Sequence, residues 1–271
     1  MSQIDTLQSY FGFTRMPFGR DIPPAALNQH PGHREAVARI SWCIEQRRMG
    51  VIAGEVGAGK TVAARAALAH LEPSRHQIIY IPDPTIGIRG IRSSIVTALG
   101  ATPSFFAGAL AAQAASLLAG ELDERSRLPV ILIDEAHLLS NDDLEALRML
   151  SNVSMDTESH FALLLIGQPT LRRRLKLAVM AALDQRIGTR FTIGGMNLED
   201  TSAYIKGHLG FAGRSDPLFS EDAITVIHQA SRGYPRTINN LAIAALMATR
   251  SAKNAIVDQS AAQSAVSEFS E

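Results

Sequence analysis

The chain has 271 residues, 26 Lys and Arg balanced by 26 Asp and Glu, and a pI near 7.1. That length supports a single large α/β unit or a large domain with a small one. Neutrality excludes a global basic field, so any nucleic-acid contact must come from a local patch. Cys43, the only cysteine, excludes an intramolecular disulfide and fits a reducing compartment. The N-terminus lacks a basic-then-apolar leader and the apolar runs are broken by charges or Gly, so a soluble cytoplasmic protein without membrane contact is expected.

Residues Ser9 to Asn28 mix aromatics with Gly and Pro and predict an irregular arm that must pack against something. A helix from Arg34 to Arg48 leads into a short buried strand, Gly50–Ala53, followed by an Ala-rich helix from Thr61 to Leu71. Gln77 to Pro82 reads as a second strand, with helices at Ile91 to Leu99 and Ala107 to Arg125. Pro129 to Ile133 is a fully apolar third strand, and Asn141 to Leu150 a helix capped by Ser140 or Asn141. His160 to Ile166 and Arg190 to Ile193 complete five parallel strands. From about Asn197 only helices follow: Leu198 to Ala212, Ser220 to Ser231, Thr237 to Arg250 and Asp258 to Glu268. The expected division is an N-terminal arm (1–30), an α/β core with a parallel sheet flanked by helices (31–196) and a small all-helical lid (197–271).

Two motifs carry the chemistry. Gly54-Glu55-Val56-Gly57-Ala58-Gly59-Lys60-Thr61 satisfies every position of the GxxxxGK[ST] phosphate-binding loop between a strand and a helix. Its glycines let backbone N–H groups curl around phosphates, Lys60 supplies a cation for the β/γ oxygens, and the Thr61 hydroxyl suits Mg²⁺. The third strand ends in Asp134-Glu135, as a parallel strand with ligands at its C-terminal edge should. Asp134 is expected to hold Mg²⁺ through water, and Glu135 to orient or deprotonate an attacking water, which implies ATP hydrolysis beyond binding. His137 is read as a packing neighbour of the site.

A γ-phosphate also needs a polar residue on a neighbouring strand and arginines from elsewhere. Gln168, after the fourth strand, suits the first role or simply holds the turn before Pro169. Arg186 and Arg236 are candidates for the second. In their order, the Tyr10-Phe-Gly-Phe opening, His33-Arg-Glu-Ala, the phosphate loop, Ile133-Asp-Glu-Ala-His, Leu165-Ile-Gly-Gln-Pro-Thr-Leu, Asp184-Gln-Arg-Ile and Ser231-Arg-Gly-Tyr-Pro-Arg-Thr-Ile-Asn-Asn-Leu resemble the AAA+ ATPases. Among these they are similar to the ExeA-like and TniB/TnsC/MuB-like transposon-associated group. The resemblance implies that Gln168 is the sensor-1 residue, Arg186 an arginine finger donated to a neighbouring subunit and Arg236 the sensor-2 arginine. It also implies that Phe18 to Arg34 line the adenine pocket. Gln departs from the Asn or Thr common at sensor 1.

The expected function is that of an ATP-dependent regulator of DNA transposition. It would assemble as a ring or helical homo-oligomer on double-stranded DNA and engage a DDE-type transposase or integrase. The chain's end after the lid points to this branch rather than to the longer ExeA-like proteins. Arg89 and Arg92 beside the second strand, or the denser cluster Arg172, Arg173, Arg174 and Lys176, would meet DNA phosphates. The rival expectation is an ExeA-like assembly ATPase that acts on proteins.

Overall fold

The computed structural model describes residues 3–19, 30–151 and 159–270. In chain order these form α1 (Gln3–Phe11), α2 (Pro31–Glu45), β1 (Met49–Gly54), α3 (Lys60–Leu68), β2 (His76–Ile81), α4 (Gly87–Ala98), α5 (Ala107–Asp123), β3 (Leu128–Ile133), α6 (Asn141–Leu150) and β4 (Ala162–Gly167). There follow α7 (Pro169–Leu175), α8 (Ala181–Arg186), β5 (Ile187–Ile193), α9 (Leu198–Phe211), α10 (Glu221–Ser231), α11 (Pro235–Ser251) and α12 (Gln259–Ser270). The contacts divide them into an α/β unit, Glu35–Val56 with Lys60–Ile193, and a helical unit. The helical unit gathers the described residues up to Arg34, the loop residues Gly57–Gly59 and those from Gly194 onward.

In the α/β unit all five strands are parallel, in the order β2-β3-β4-β1-β5. The three inner strands read Met-Gly-Val-Ile-Ala-Gly, Leu-Pro-Val-Ile-Leu-Ile and Ala-Leu-Leu-Leu-Ile-Gly and are buried at every position. Helices cover both faces of such a strand, so alternation is lost. The edge strands β2 and β5 keep partial alternation. β5 starts at Ile187, ahead of the expected Arg190, because Ile187 and Thr189 turn inward. Gly50 has no substitute here: a Cβ would lie 2.7 Å from Cys43 Sγ and 3.1 Å from Leu164 Cδ2. Because the strands are parallel, their C-terminal ends share one edge, which is where ligands bind in open α/β sheets.

Local capping follows the sequence. Ser140 and Asp143 form a reciprocal capping box on α6. Asp143 also accepts the Ile88 N–H at 2.9 Å, which supports the first turn of α4 and helps it begin at Gly87, before the expected Ile91. Asn197, Ser220 and Asp258 accept N–H groups at the starts of α9, α10 and α12.

The helical unit corrects one expectation. Residues up to Phe11 are not irregular: Leu7 and Phe11, one helical face four residues apart, are buried, and the Gly and Pro signals act only from Gly12. Phe11, Phe13 and Phe18 enter the same apolar core as Ile205, Leu209, Ile238 and Leu241. Phe18 stacks on His208 with ring centroids 5.0 Å apart, and its N–H donates to His208 Nδ1 at 3.2 Å. Nδ1 is therefore an unprotonated acceptor, and Nε2 is buried without a partner. Residues 20–29, which include most of the segment expected to line an adenine pocket, lie outside the described residues.

Burial pulls the His208 pKa down from 6.5 to about 4. The folded unit therefore binds this proton more weakly than the unfolded chain. Its contribution is intact above pH 6.5 and is lost as pH falls toward 4, by about 3 kcal/mol in full. His208→Gln, which can still accept the Phe18 N–H, should flatten that part of the dependence. Urea unfolding of both proteins across pH checks this; parallel pH profiles would refute it.

Candidate nucleotide site

The phosphate loop leaves β1 at Gly54 and enters α3 at Lys60. Lys60 is 7% exposed, and its Nζ donates to the carbonyls of Gly54 at 2.9 Å and Glu55 at 3.0 Å. A buried ammonium is costly unless its protons are bound, and these carbonyls bind them while holding the side chain across its own loop. At the loop crest Gly57 has φ +81°, and a Cβ there would lie 2.6 Å from Arg236 Cβ. The Arg236 N–H donates to the Gly57 carbonyl at 3.3 Å, at the first turn of α11. Arg236 is exposed. Val56 is exposed at 57% and Ala58 is buried, so the loop turns one apolar residue out and one in.

Asp134, one residue beyond β3, is 6% exposed. Its Oδ2 accepts from Thr61 Oγ1 at 2.9 Å and from the Tyr80 phenol at 3.3 Å, and its Oδ1 accepts the Glu135 N–H at 2.9 Å. The Thr61 hydroxyl and Asp134 carboxylate thus come together from α3 and β3 as a hard oxygen pair. That donor set suits Mg²⁺ in the presence of phosphates. Tyr80 was not singled out from the sequence, although a phenol next to the end of a strand at the ligand edge is the signal to look for. Burial, then the Asp134 charge, raises its pKa, so it stays a donor.

Glu135 takes the left-handed conformation, φ 49°, which costs a non-glycine residue about 1–3 kcal/mol and recurs at functional sites. Its side chain is 47% exposed, at the open edge of the sheet. His137 Nδ1 lies 3.2 Å from Glu135 Oε2, but at an angle that makes no hydrogen bond, so the two are neighbours rather than a locked pair.

Residues 44–175 match a family model described as an AAA domain. Over that span the chain is similar to AAA domains. The chain is 32% identical over 247 residues to general secretion pathway protein A of Aeromonas hydrophila, a match that covers 88% of this chain and 44% of that one. Among solved structures it is similar to the ORC2 protein of Aeropyrum pernix in its ADP form (TM-score 0.67, 17% identity, 93% of this chain and 71% of that one). It is also similar to the ORC1 protein of the same organism in complex with DNA (0.66, 15%, 93% and 68%). The RuvB Holliday junction branch migration motor of Thermotoga maritima matches at 0.58 (19%, 89% and 69%). At such identities these structures establish the fold: a P-loop AAA+ parallel sheet flanked by helices, with a helical C-terminal region.

In the α/β unit Gln168 caps α7 through its backbone alone, with no side-chain bond to the helix, so its amide is not spent on the turn before Pro169. Arg186, at the end of α8, donates to Ser151 Oγ at 2.9 Å and to the Arg148 carbonyl at 3.4 Å within its own chain. Arg89 is exposed, while Arg92 is half-buried with its Nε unpartnered. The basic cluster is not one free surface. Arg174 turns inward to the carbonyls of His137 at 3.3 Å and Leu139 at 2.5 Å, tying α7 to the segment after Glu135. Arg172 donates to Thr192 Oγ1 at 2.7 Å; Arg173 and Lys176 are exposed. The sequence cannot distinguish an inward arginine in a run of three from its neighbours.

Lys60→Ala should abolish nucleotide binding, whereas Glu135→Gln should bind ATP normally and retain it, because only the second leaves the phosphate cradle intact. Fluorescent-nucleotide titration with single-turnover hydrolysis checks both. Equal loss of affinity would overturn the division of roles.

Proposed function

We propose that this chain is an ATPase that assembles on double-stranded DNA when ATP is bound, presents that DNA to a DDE-type transposase or integrase, and leaves after hydrolysis. The observation that carries the catalytic half is the Thr61–Asp134 oxygen pair beside the strained, exposed Glu135. Glu135 orients and deprotonates the water for in-line attack on the γ-phosphate. Lys60 redirects its N–H hydrogen bonds from the Gly54 and Glu55 carbonyls to phosphate oxygens, and Gln168 offers its amide to the same group. Thr61 and, through water, Asp134 would hold Mg²⁺, which would supply positive charge against the phosphates. Arg236 contacts the nucleotide from the lid, in a division of arm (1–30), core (31–196) and lid (197–271). Arg186 completes the site of the next subunit by exchanging its own-chain bonds for that neighbour's γ-phosphate.

The DNA half is supported by Arg89 and Arg92 and by fold neighbours in complex with DNA, among them the ORC1 protein of Aeropyrum pernix. A second reading, an assembly ATPase acting on proteins, is favoured by the 32% identity to general secretion pathway protein A. Duplex binding with and without ATP, across a salt series, separates them. The first requires ATP-dependent binding that weakens with salt; no such binding even at low salt hands the assignment to the second.

Arg186→Ala should lower turnover by ~10³ or more while ATP still binds. Adding Lys60→Ala subunits, which keep their arginine, should restore part of it. No recovery at any mixing ratio, with mixed assembly confirmed, refutes action between subunits.

Arg89→Ala with Arg92→Gln should weaken ATP-dependent duplex binding alike on unrelated sequences, since phosphate contacts position without reading bases. Each lost contact should reduce the salt slope by about one per bound subunit. Unchanged affinity would move the DNA surface to Arg172, Arg173 and Lys176.

A further inference from the structure

The loop between α4 and α5 exposes two adjacent phenylalanines, Phe105 at 78% and Phe106 at 74%. No other large apolar side chain among the described residues is as open. Burying them would be favourable, and this chain instead fixes them in water. Gln113 clamps the loop from α5: its Oε1 accepts the Ser104 N–H at 2.9 Å and its Nε2 donates to the Thr102 carbonyl at 2.9 Å. Arg89 clamps it from α4, donating to the Phe105 carbonyl at 2.9 Å with its guanidinium carbon 5.4 Å from the ring centroid. The two rings stand edge to face, centroids 5.6 Å apart and planes at 86°. The result is a braced aromatic finger with a cation at its base.

Charge decides what such a finger meets. From Pro84 to Gly120 the chain contains no Asp or Glu and two arginines, Arg89 and Arg92, in a protein otherwise balanced in charge. A stretch that carries two arginines and no acids of its own suits a polyanion, and flat π faces beside a guanidinium match a nucleobase beside its phosphate. In an intact duplex the base faces are already stacked on one another. The rings can therefore engage only where a step is opened, as apolar wedges do when they unstack and kink a duplex.

We propose that Phe105 and Phe106 form a stacking finger that inserts against unstacked bases, so that the protein selects deformable or unpaired DNA rather than a base sequence. This rests on the DNA reading above and names its specificity. Arg89 supplies the phosphate contact and holds the finger erect. Phe105 and Phe106 themselves read deformability, at the cost of opening a step, which is least where the step is already open.

The test is ATP-dependent binding of the full chain to a short duplex and to the same duplex with a central unpaired stretch carrying 2-aminopurine. The wild-type chain should favour the second by about tenfold and change the probe's fluorescence. Phe105→Ala with Phe106→Ala should bind both alike and leave the probe silent, with the salt slope and DNA-independent hydrolysis unchanged. A wild-type chain that binds intact duplex with ATP yet shows no preference overturns the finger alone, as does a preference that survives the double substitution. A chain that binds neither DNA overturns the finger together with the reading beneath it. Phenylalanine-dependent uptake onto anionic vesicles without a DNA preference overturns it in favour of a membrane surface.

Discussion

Two groups of opposite charge are kept out of water at one edge of the sheet, Lys60 and Asp134. Removing an ion from water costs several kcal/mol unless its hydrogen-bonding capacity is met. Here neutral groups help to meet it: two loop carbonyls for the ammonium, and two hydroxyls and one N–H for the carboxylate. Those partners come from β1, α3, β2 and the end of β3, so the arrangement exists only if parallel strands end together. The three inner strands, buried throughout, exist to fix that edge. Gly50 shows how narrow the tolerance is, since one methyl group there would collide with α2 and β4.

Most of the fold was legible because its signals are local. Continuous apolar runs located the inner strands, Ser140 and Ser220 located helix starts, and the phosphate loop dictated its own strand and helix. What escaped was set by partners distant in the chain. The α1 helix is short and its apolar face is revealed only by the core it enters. Tyr80 became meaningful once β2 was seen to lie beside β3, and Arg174 once α7 was seen to face the segment after Glu135. The early start of α4 owes to Asp143, fifty-five residues away along the chain. Residue type announces a phosphate cradle; it does not announce which arginine turns inward.

Fold and activity separate in this chain. Proteins that handle DNA, and one named for secretion, share its architecture or its sequence, and a shared scaffold does not transmit its partners. In this chain the stretch from Pro84 to Gly120, which spans α4, its loop and most of α5, lies between β2 and β3 and contains no Asp or Glu. Selection on that stretch can alter what the molecule touches while the nucleotide chemistry is left alone.

The placement of Cys43 has a practical consequence. The only thiol in the sequence is fully buried under Gly50, donates to the Arg48 carbonyl at 3.2 Å, and is pushed up to about 12, first by burial. Thiolate is the reactive form, so at neutral pH this residue ignores maleimides and mild oxidants. The native chain therefore behaves as a cysteine-silent background. A single introduced cysteine, on the aromatic loop or the α8 terminus, would carry a dye or spin label alone, and distance changes through a nucleotide cycle could be read without first removing any native residue.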